Sequence, residues 1–317
     1  MTIAQLRAYA AVVRYGSVRA AAAELGLTES AVSMHVAQLR KELGDQLFTR
    51  TGSGLAFTPG GLRLASRSVE LLGLQDRTVQ EVGRAAQGLR LLRVGATSLF
   101  AEHGAPGLIE SFTGRAADLE VELSVHRVDQ FEDLLRARAI DVAIGPPAAV
   151  PSPGLLQRAF LAYDIEVVTT PDNPLAKRPV STADLARATW HLGPSVIGPA
   201  GTVPAMLARL GVPESHQRIF QSDAAALDEM RDAAAVMPAV VFSVSADLSA
   251  GRLARVTGQG VKQRGVWAGL TLEEDRESTT AELLRFLQTP RAIQAMIKGT
   301  GVPVTRFRPA VYVTLWS

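Results

Sequence analysis

The sequence predicts an α/β protein with an all-helical head at its N-terminus, a long connecting helix and a two-lobed C-terminal half. Three observations carry this reading. Residues 1–60 divide into short helical runs at Gly16-Ser17 and Gly26-Leu27-Thr28, and end in the turn-rich Thr51-Gly52-Ser53-Gly54. Between Pro59 and about Gln87 neither a further proline nor a loop cluster intervenes. Beyond Arg90, β-rich runs alternate with helical ones, the order that gives a parallel sheet covered by helices.

In the head, the Ser17 side chain is placed to cap the free amides of Val18 to Leu25, a stretch rich in alanine that lets another helix approach closely. Gly26 suits the left-handed residue that ends a helix. Thr28 caps the next helix, in which Val32, Val36, Leu39 and Leu43 recur at helical spacing and are expected to face the core. The opposite side then carries Ser30, Ser33, Met34, Ala37 and Lys41, with Glu29 at the start and His35 and Gln38 on the flanks. Two helices joined by a tight glycine turn, the second with a small polar outer stripe, have the geometry that seats a recognition helix in the major groove.

At these residues the chain resembles the winged helix-turn-helix of LysR-type transcriptional regulators. The match runs from Leu6 to Gly61 through Ala21-Ala22, Leu25, Ala31-Val32-Ser33, Leu39, Glu42-Leu43-Gly44, Leu47-Phe48, Arg50 and Thr58-Pro59. The resemblance implies a winged helix-turn-helix DNA-binding domain over 1–60 and a linker and dimerisation helix over 61–88. It implies a periplasmic-binding-protein-like effector-binding domain over 89–300, with lobe I at 89–162 and 266–300 and lobe II at 163–265, followed by a tail at 301–317. The expected partners are double-stranded promoter DNA, a small effector with anions among the candidates, and further copies of the chain as a homodimer or homotetramer. RNA polymerase is an additional candidate.

On the outer stripe, Ser33 can bond a phosphate or a base edge, Glu29 can accept from cytosine N4, and Met34 and Ala37 offer apolar contact to thymine methyls. Thr28 and Ser30 stand at the same end. Arg50, before the Gly-Ser-Gly turn, suits a phosphate or a narrow minor groove. Arg19, Arg40 and Lys41 read equally as positioning contacts or solvated charge. The family commonly has Gln-Pro where this chain has Glu29-Ser30, and a basic or amide residue where it has Met34. A base preference of its own is therefore expected.

In the long helix, Leu62, Ala65, Val69, Leu72, Asp76 and Val79 alternate at three- and four-residue steps, a seam for a partner helix. The same spacing serves a helix packed on its own domain, and Asp76 interrupts it. Two-fold operator symmetry gives a dimerising rod a physical purpose.

The C-terminal half reads as strand Leu91–Gly95, helix to Phe112, strand Leu119–Val125, helix to Arg138 and strand Ile140–Gly145. The second series has Ile165–Thr170, helices near Ser181–Leu185 and Pro204–Leu210, and the apolar run Ala239–Val244. The run Val266–Leu272 and the helical Ser278–Ile297 suggest a return to the first lobe. A ligand between such lobes sits at strand ends and helix N-termini, where amides favour carboxylate or phosphate. Thr97 and Ser98, a hydroxyl-bearing turn after a strand, are the first candidates; helix capping uses the same groups. Gly145, before Pro146-Pro147, ends another strand. Gly201 and Thr202 close the loop Gly198-Pro199-Ala200 ahead of a helix. In the family the Thr97-Ser98 turn and the Gly198 to Thr202 loop line the effector cleft, while Gly145 reads as the hinge side of the cleft or as a simple strand-terminating loop. Arg127 and Val128 stand where relatives often carry small hydroxyl residues, Arg127 serving an acidic effector or standing solvated. Ala233 to Pro238 replaces a turn that usually contains glycine.

The bulk numbers bound other functions. With 317 residues, 47% hydrophobic and 20% charged, the chain is large enough for two or three packed units. No apolar run approaches the ~18 residues of a membrane span, and MTIAQLRAYA lacks the pattern of a secretory leader, so a cytoplasmic protein without membrane association is expected. Zero cysteines remove disulfides, thiolate metal sites and cysteine nucleophiles together. A net charge of +2 favours nucleic acid only where Lys and Arg cluster. His35, His103, His126, His191 and His216 are scattered, without a metal-binding spacing, and no phosphate loop or nucleophile elbow occurs. No enzyme activity, metal or cofactor is expected. The apolar tail Val304–Trp316 can add an edge strand, cover a lobe, bind a partner or stay disordered.

Overall fold

The computed structural model describes residues 1–51, 54–86, 88–196, 201–232, 235–275 and 279–298. Apolar tail residues Val304–Trp316, residues Gly198 to Ala200 and Ala233-Ala234 lie outside the described residues. The chain divides into two compact units, the first holding Met1–Gln87 with the short segment Arg136–Ala139, the second beginning at Gly88.

The first unit opens with α1 (Ile3–Tyr15), α2 (Val18–Leu25) and α3 (Glu29–Leu43). Each start carries the cap its sequence offers: Thr2 accepts from the Gln5 amide, Ser17 from Ala20 and Thr28 from Ala31. Gly26 ends α2 at φ +63, a conformation that costs a side-chain-bearing residue energy, and so forms the tight turn between α2 and α3. Tyr9, Val12, Ala21, Val32, Val36 and Leu39 form the core with Leu47 and Phe48. Tyr9 Oη donates to the Gly61 carbonyl at 2.8 Å, and burial, aided by the charge of Asp45, pushes its phenol up to about 12. Leu43 departs from the expected core face: it is 46% exposed. The helix stops one residue later at left-handed Gly44, so this last position of the apolar row lies past the packed helices.

After α3 come two antiparallel strands, β1 (Phe48–Thr51) and β2 (Gly54–Phe57), with Arg50 opposite Leu55; Gly52 and Ser53 lie outside the described residues. The head is therefore not purely helical. α4 (Pro59–Ala85) follows. Leu64 and Ala65 pack against the head core, while Leu62, Val69, Leu71, Leu74, Val79 and Val82 are exposed. Asp76, the polar break in the apolar row, accepts from Arg7 of α1 at 2.9 Å.

The second unit continues with β3 (Arg90–Ala96), α5 (Ser98–His103), α6 (Ala105–Thr113), β4 (Leu119–Val125), α7 (Phe131–Arg136), β5 (Val142–Gly145) and the 15-residue β6 (Leu155–Thr169). Then come α8 (Thr182–Arg187), β7 (Trp190–Leu192), α9 (Thr202–Leu210), β8 (Gln217–Ile219), α10 (Asp223–Asp232), β9 (Met237–Val240), α11 (Ser245–Ser249), β10 (Ala254–Arg255), β11 (Lys262–Leu272), α12 (Thr279–Leu287) and α13 (Pro290–Lys298). The main sheet runs β10-β6-β11-β5-β3-β4, with β9 also paired to β6; β7 and β8 form a small parallel sheet. β3 is parallel to β4 and β5, as the alternating pattern predicts.

The antiparallel pair β6 and β11 joins the lobes. Leu270 and Leu272 pair with Gln157 and Leu155 at one end; Lys262 and Gly265 pair with Glu166 and Tyr163 toward the other. The register slips between Trp267 and Ala268, a bulge that re-aims the strand where one lobe gives way to the other. Gly265 lies opposite Tyr163 because a Cβ there would stand 2.3 Å from the tyrosine ring.

Several sequence-derived elements change. The strand read as Ile165–Thr170 begins at Leu155, and the helix read as running to Phe112 is divided at Gly104 into α5 and α6. The helical run Ser278–Ile297 is two helices, since proline lacks the amide that would continue α12 and instead opens α13. The run Ala239–Val244 is a strand only to Val240; a turn follows and sends Phe242 against Trp267. No described helix is long and apolar enough to cross a membrane.

Candidate DNA surface and effector cleft

The α3 face opposite Val32, Val36 and Leu39 is open. Thr28, Glu29, Ser30, Ser33, Met34, Ala37 and Lys41 are all exposed, Met34 to 56%, and Arg19 of α2 is exposed as well. Some of these groups already have local work. Thr28 Oγ1 caps Ala31 and lies 2.9 Å from Ser30 Oγ. Arg40 is occupied on the wing side: it donates to the Phe48 carbonyl at 2.7 Å and stacks over the Phe48 ring. Ser33, Met34 and Ala37 form the middle of the stripe, and an exposed methionine beside small residues is a surface that a flat base edge can meet. The side chain of Arg50 lies outside the described residues.

In the second unit, Thr97 and Ser98 open α5 at the C-terminal end of β3, both half-buried. Thr97 makes no side-chain capping bond, although its backbone has the capping conformation; its amide donates to the Ile144 carbonyl at 3.0 Å. Gly145, last in β5, packs against the Thr97 methyl and the Phe131 ring. Gly201 and Thr202 open α9, where Thr202 Oγ1 lies 3.1 Å from Tyr163 Oη. Burial raises the Tyr163 phenol pKa, partly offset by its hydrogen bond to Thr202. Arg127 is exposed, and its guanidinium is held by Asp129, two residues on. Val128 beside it is half-buried.

Aromatic rings connect these segments. Phe100 of α5 meets Trp267 edge-on at 5.0 Å, and Trp267 lies 4.3 Å from Tyr163 between ring centroids, which leads to Thr202. Thr97-Ser98 and Gly201-Thr202 therefore flank one continuous aromatic wall at the bulge of β11. Sequence reading missed Phe100, Tyr163 and Trp267; the signal it had was two β-rich runs with an aromatic near the start of each, without the pairing that brings them together.

An exposed recognition-helix stripe and a two-lobed α/β unit with hydroxyl-bearing helix starts define a DNA-binding protein coupled to a small-molecule sensor. Residues 3–62 match the family model for the bacterial regulatory helix-turn-helix protein, lysR family, and residues 85–290 match the LysR substrate binding domain. The chain belongs to the LysR family of bacterial transcriptional regulators. It is 58% identical over 321 residues to the HTH-type transcriptional regulator Rv0377 of Mycobacterium tuberculosis, covering 100% of both chains. It is 33% identical to the small neutral protease regulatory protein of Streptomyces coelicolor, over 65% of this chain and 68% of that one. Among solved structures, ArgP from Mycobacterium tuberculosis matches with a TM-score of 0.59 at 19% identity, covering 91% and 96% of the two chains. Full-length LysG from Corynebacterium glutamicum, with bound effector Arg, matches at 0.57 and 18%, covering 93% and 99%. The fold is shared with both.

Proposed function

We propose that this regulator reads its promoter with Ser33, Met34 and Ala37 at the centre of the α3 stripe, flanked by Thr28, Glu29, Ser30 and Lys41, with Arg19 and Arg50 on the phosphates. The observation that carries the assignment is the division of α3 into a buried face and an exposed, small-residue face. Leu62, Val69, Leu72 and Val79 on α4 serve self-association as a homodimer or homotetramer, the exposure of Leu62, Val69 and Val79 being the support. Ala65 takes part at the head side. A small effector, with carboxylate-bearing molecules the preferred class, contacts Thr97, Ser98, Gly201 and Thr202, with Val128 and Gly145 at the rim. Arg127 reaches an acidic effector only by exchanging Asp129 for it. Effector binding favours one arrangement of the lobes and so changes promoter contacts. The protein acts in the cytoplasm, without catalytic turnover, and RNA polymerase is the partner through which it regulates.

Gel-shift titration of DNA upstream of its own gene, at fixed salt and with a panel of small acids, tests this reading. Ser33→Ala is expected to weaken binding about three- to tenfold, the worth of one hydrogen bond. Arg50→Ala is expected to weaken it and flatten the salt dependence. Unchanged affinity in both variants would remove the assignment.

A further inference from the structure

The two lobes also meet at three side chains that neither surface uses. Glu102 and His103 end α5 in lobe I, and Asp223 opens α10 in lobe II. His103 Nε2 lies 2.9 Å from Asp223 Oδ2. Glu102 Oε2 accepts the backbone amide of Asp223 at 2.8 Å, and the Ala224 amide also bonds this carboxylate. One ligand-type atom from each residue lies within 4.8 Å of the others. The cluster is sheltered: the Asp223 side chain is 7% exposed and that of His103 17%. Gly193 is the only residue type that fits beside it, since a Cβ there would stand 1.9 Å from Asp223 Oδ1.

Two carboxylates face one imidazole here, so the cluster holds more negative than positive charge in a half-buried place. A divalent cation balances that excess of negative charge.

We propose that Glu102, His103 and Asp223 form a binding site for a first-row divalent metal ion of the zinc type, fastening lobe I to lobe II. The donor set selects the ion. One imidazole nitrogen with two carboxylates suits zinc and its neighbours, whereas magnesium and calcium favour shells made of oxygen. Three protein ligands leave a fourth position for water. Binding exchanges the His103–Asp223 hydrogen bond for two bonds to the metal: the Nε2 proton that makes this bond is displaced to solvent or to Nδ1, and Nε2 offers the freed lone pair. Glu102 keeps the Asp223 amide on Oε2 and offers Oε1, so this amide orients a ligand as an outer shell does. A small closure of α5 on α10 brings the donors to about 2.0–2.2 Å from a common centre.

Glu102, His103 and Asp223 are none of the residues assigned above to DNA, self-association or the effector. The test is calorimetric titration of the tag-free full-length chain, stripped with a chelator, with zinc chloride, alongside cobalt chloride followed by visible absorption. One zinc ion per chain is expected, with cobalt bands typical of nitrogen and oxygen ligands. His103→Gln and Glu102→Gln are each expected to weaken zinc by more than about a hundredfold, beyond the loss typical of an outer-shell change. Magnesium chloride is expected to give no binding heat. Circular dichroism of the metal-free variants checks their fold, and Asp223→Asn, which keeps the size and shape of the side chain, replaces any variant that fails it. No zinc bound below about 100 μM, or zinc binding that persists in the folded variants, would overturn the proposal and leave the three groups as a hydrogen-bonded latch.

Discussion

The head and the sensor solve the same problem, presenting a few polar groups from a packed scaffold, by opposite routes. In the head, the presenting surface belongs to a single helix whose caps, core and exposed stripe all fall within Thr28–Gly44. In the sensor, the aromatic wall draws Phe100, Tyr163 and Trp267 from one helix and two strands, and the hydroxyls at its edges come from the start of that same helix, α5, and from the start of α9. A surface built on one element is fixed by local sequence; one built across several depends on every strand that positions them. The head should thus tolerate changes in the sensor better than the cleft tolerates changes in its wall.

The largest expected effect is that of Trp267→Ala. Removing a fully buried ring that touches three other aromatics should destabilise the second unit by about 3–5 kcal/mol, seen as an earlier unfolding transition in denaturant, while gel-shift affinity for promoter DNA below that transition changes little. A parallel loss of DNA binding would break the contrast. Leu39→Ala, at a fully buried position beneath the stripe, should cost about 2–5 kcal/mol in the head and abolish retardation at temperatures where the sensor remains folded by near-ultraviolet dichroism. Next comes Tyr163→Phe, which keeps the ring and deletes its bond to Thr202. A loss of about 0.5–1.5 kcal/mol in the sensor transition is expected, with a larger proportional change in effector affinity than in DNA affinity. The smallest effect belongs to Leu43→Gln. Because this leucine is exposed, the melting curve should shift by no more than about 0.5 kcal/mol; a cost of core size would restore the position that its spacing suggests.

Leu43 also shows where sequence stops being informative. Periodicity places Val32, Val36 and Leu39 on the core face, and they are there, yet the same row cannot say where neighbouring helices end. Caps are better signals because they act over three residues: Ser17, Thr28 and the left-handed Gly26 all do what their chemistry suggests. Strand Leu119–Val125 has the bounds read from its residues. Its place at the sheet edge was not legible, since pairing is decided by partners tens of residues away. Thr97 and Thr202 were legible as hydroxyls at helix starts, but the tyrosine that binds Thr202 was not. The meeting of Glu102 with Asp223, 121 positions apart, leaves no trace in spacing, which is why a search for metal motifs along the chain passes over it.

The long antiparallel pair β6 and β11 has a consequence for how such a chain can be cut and rejoined. Ala162 is paired with Val266 and Tyr163 with Gly265, so the two ends of the intervening hundred or so residues lie side by side on adjacent strands. In topological terms, the intervening segment is a cassette carried between two antiparallel strands. Excising it and closing the strands with a short turn would leave every ladder of β3, β4 and β5 in place, a route by which one lobe can be exchanged without rethreading the other.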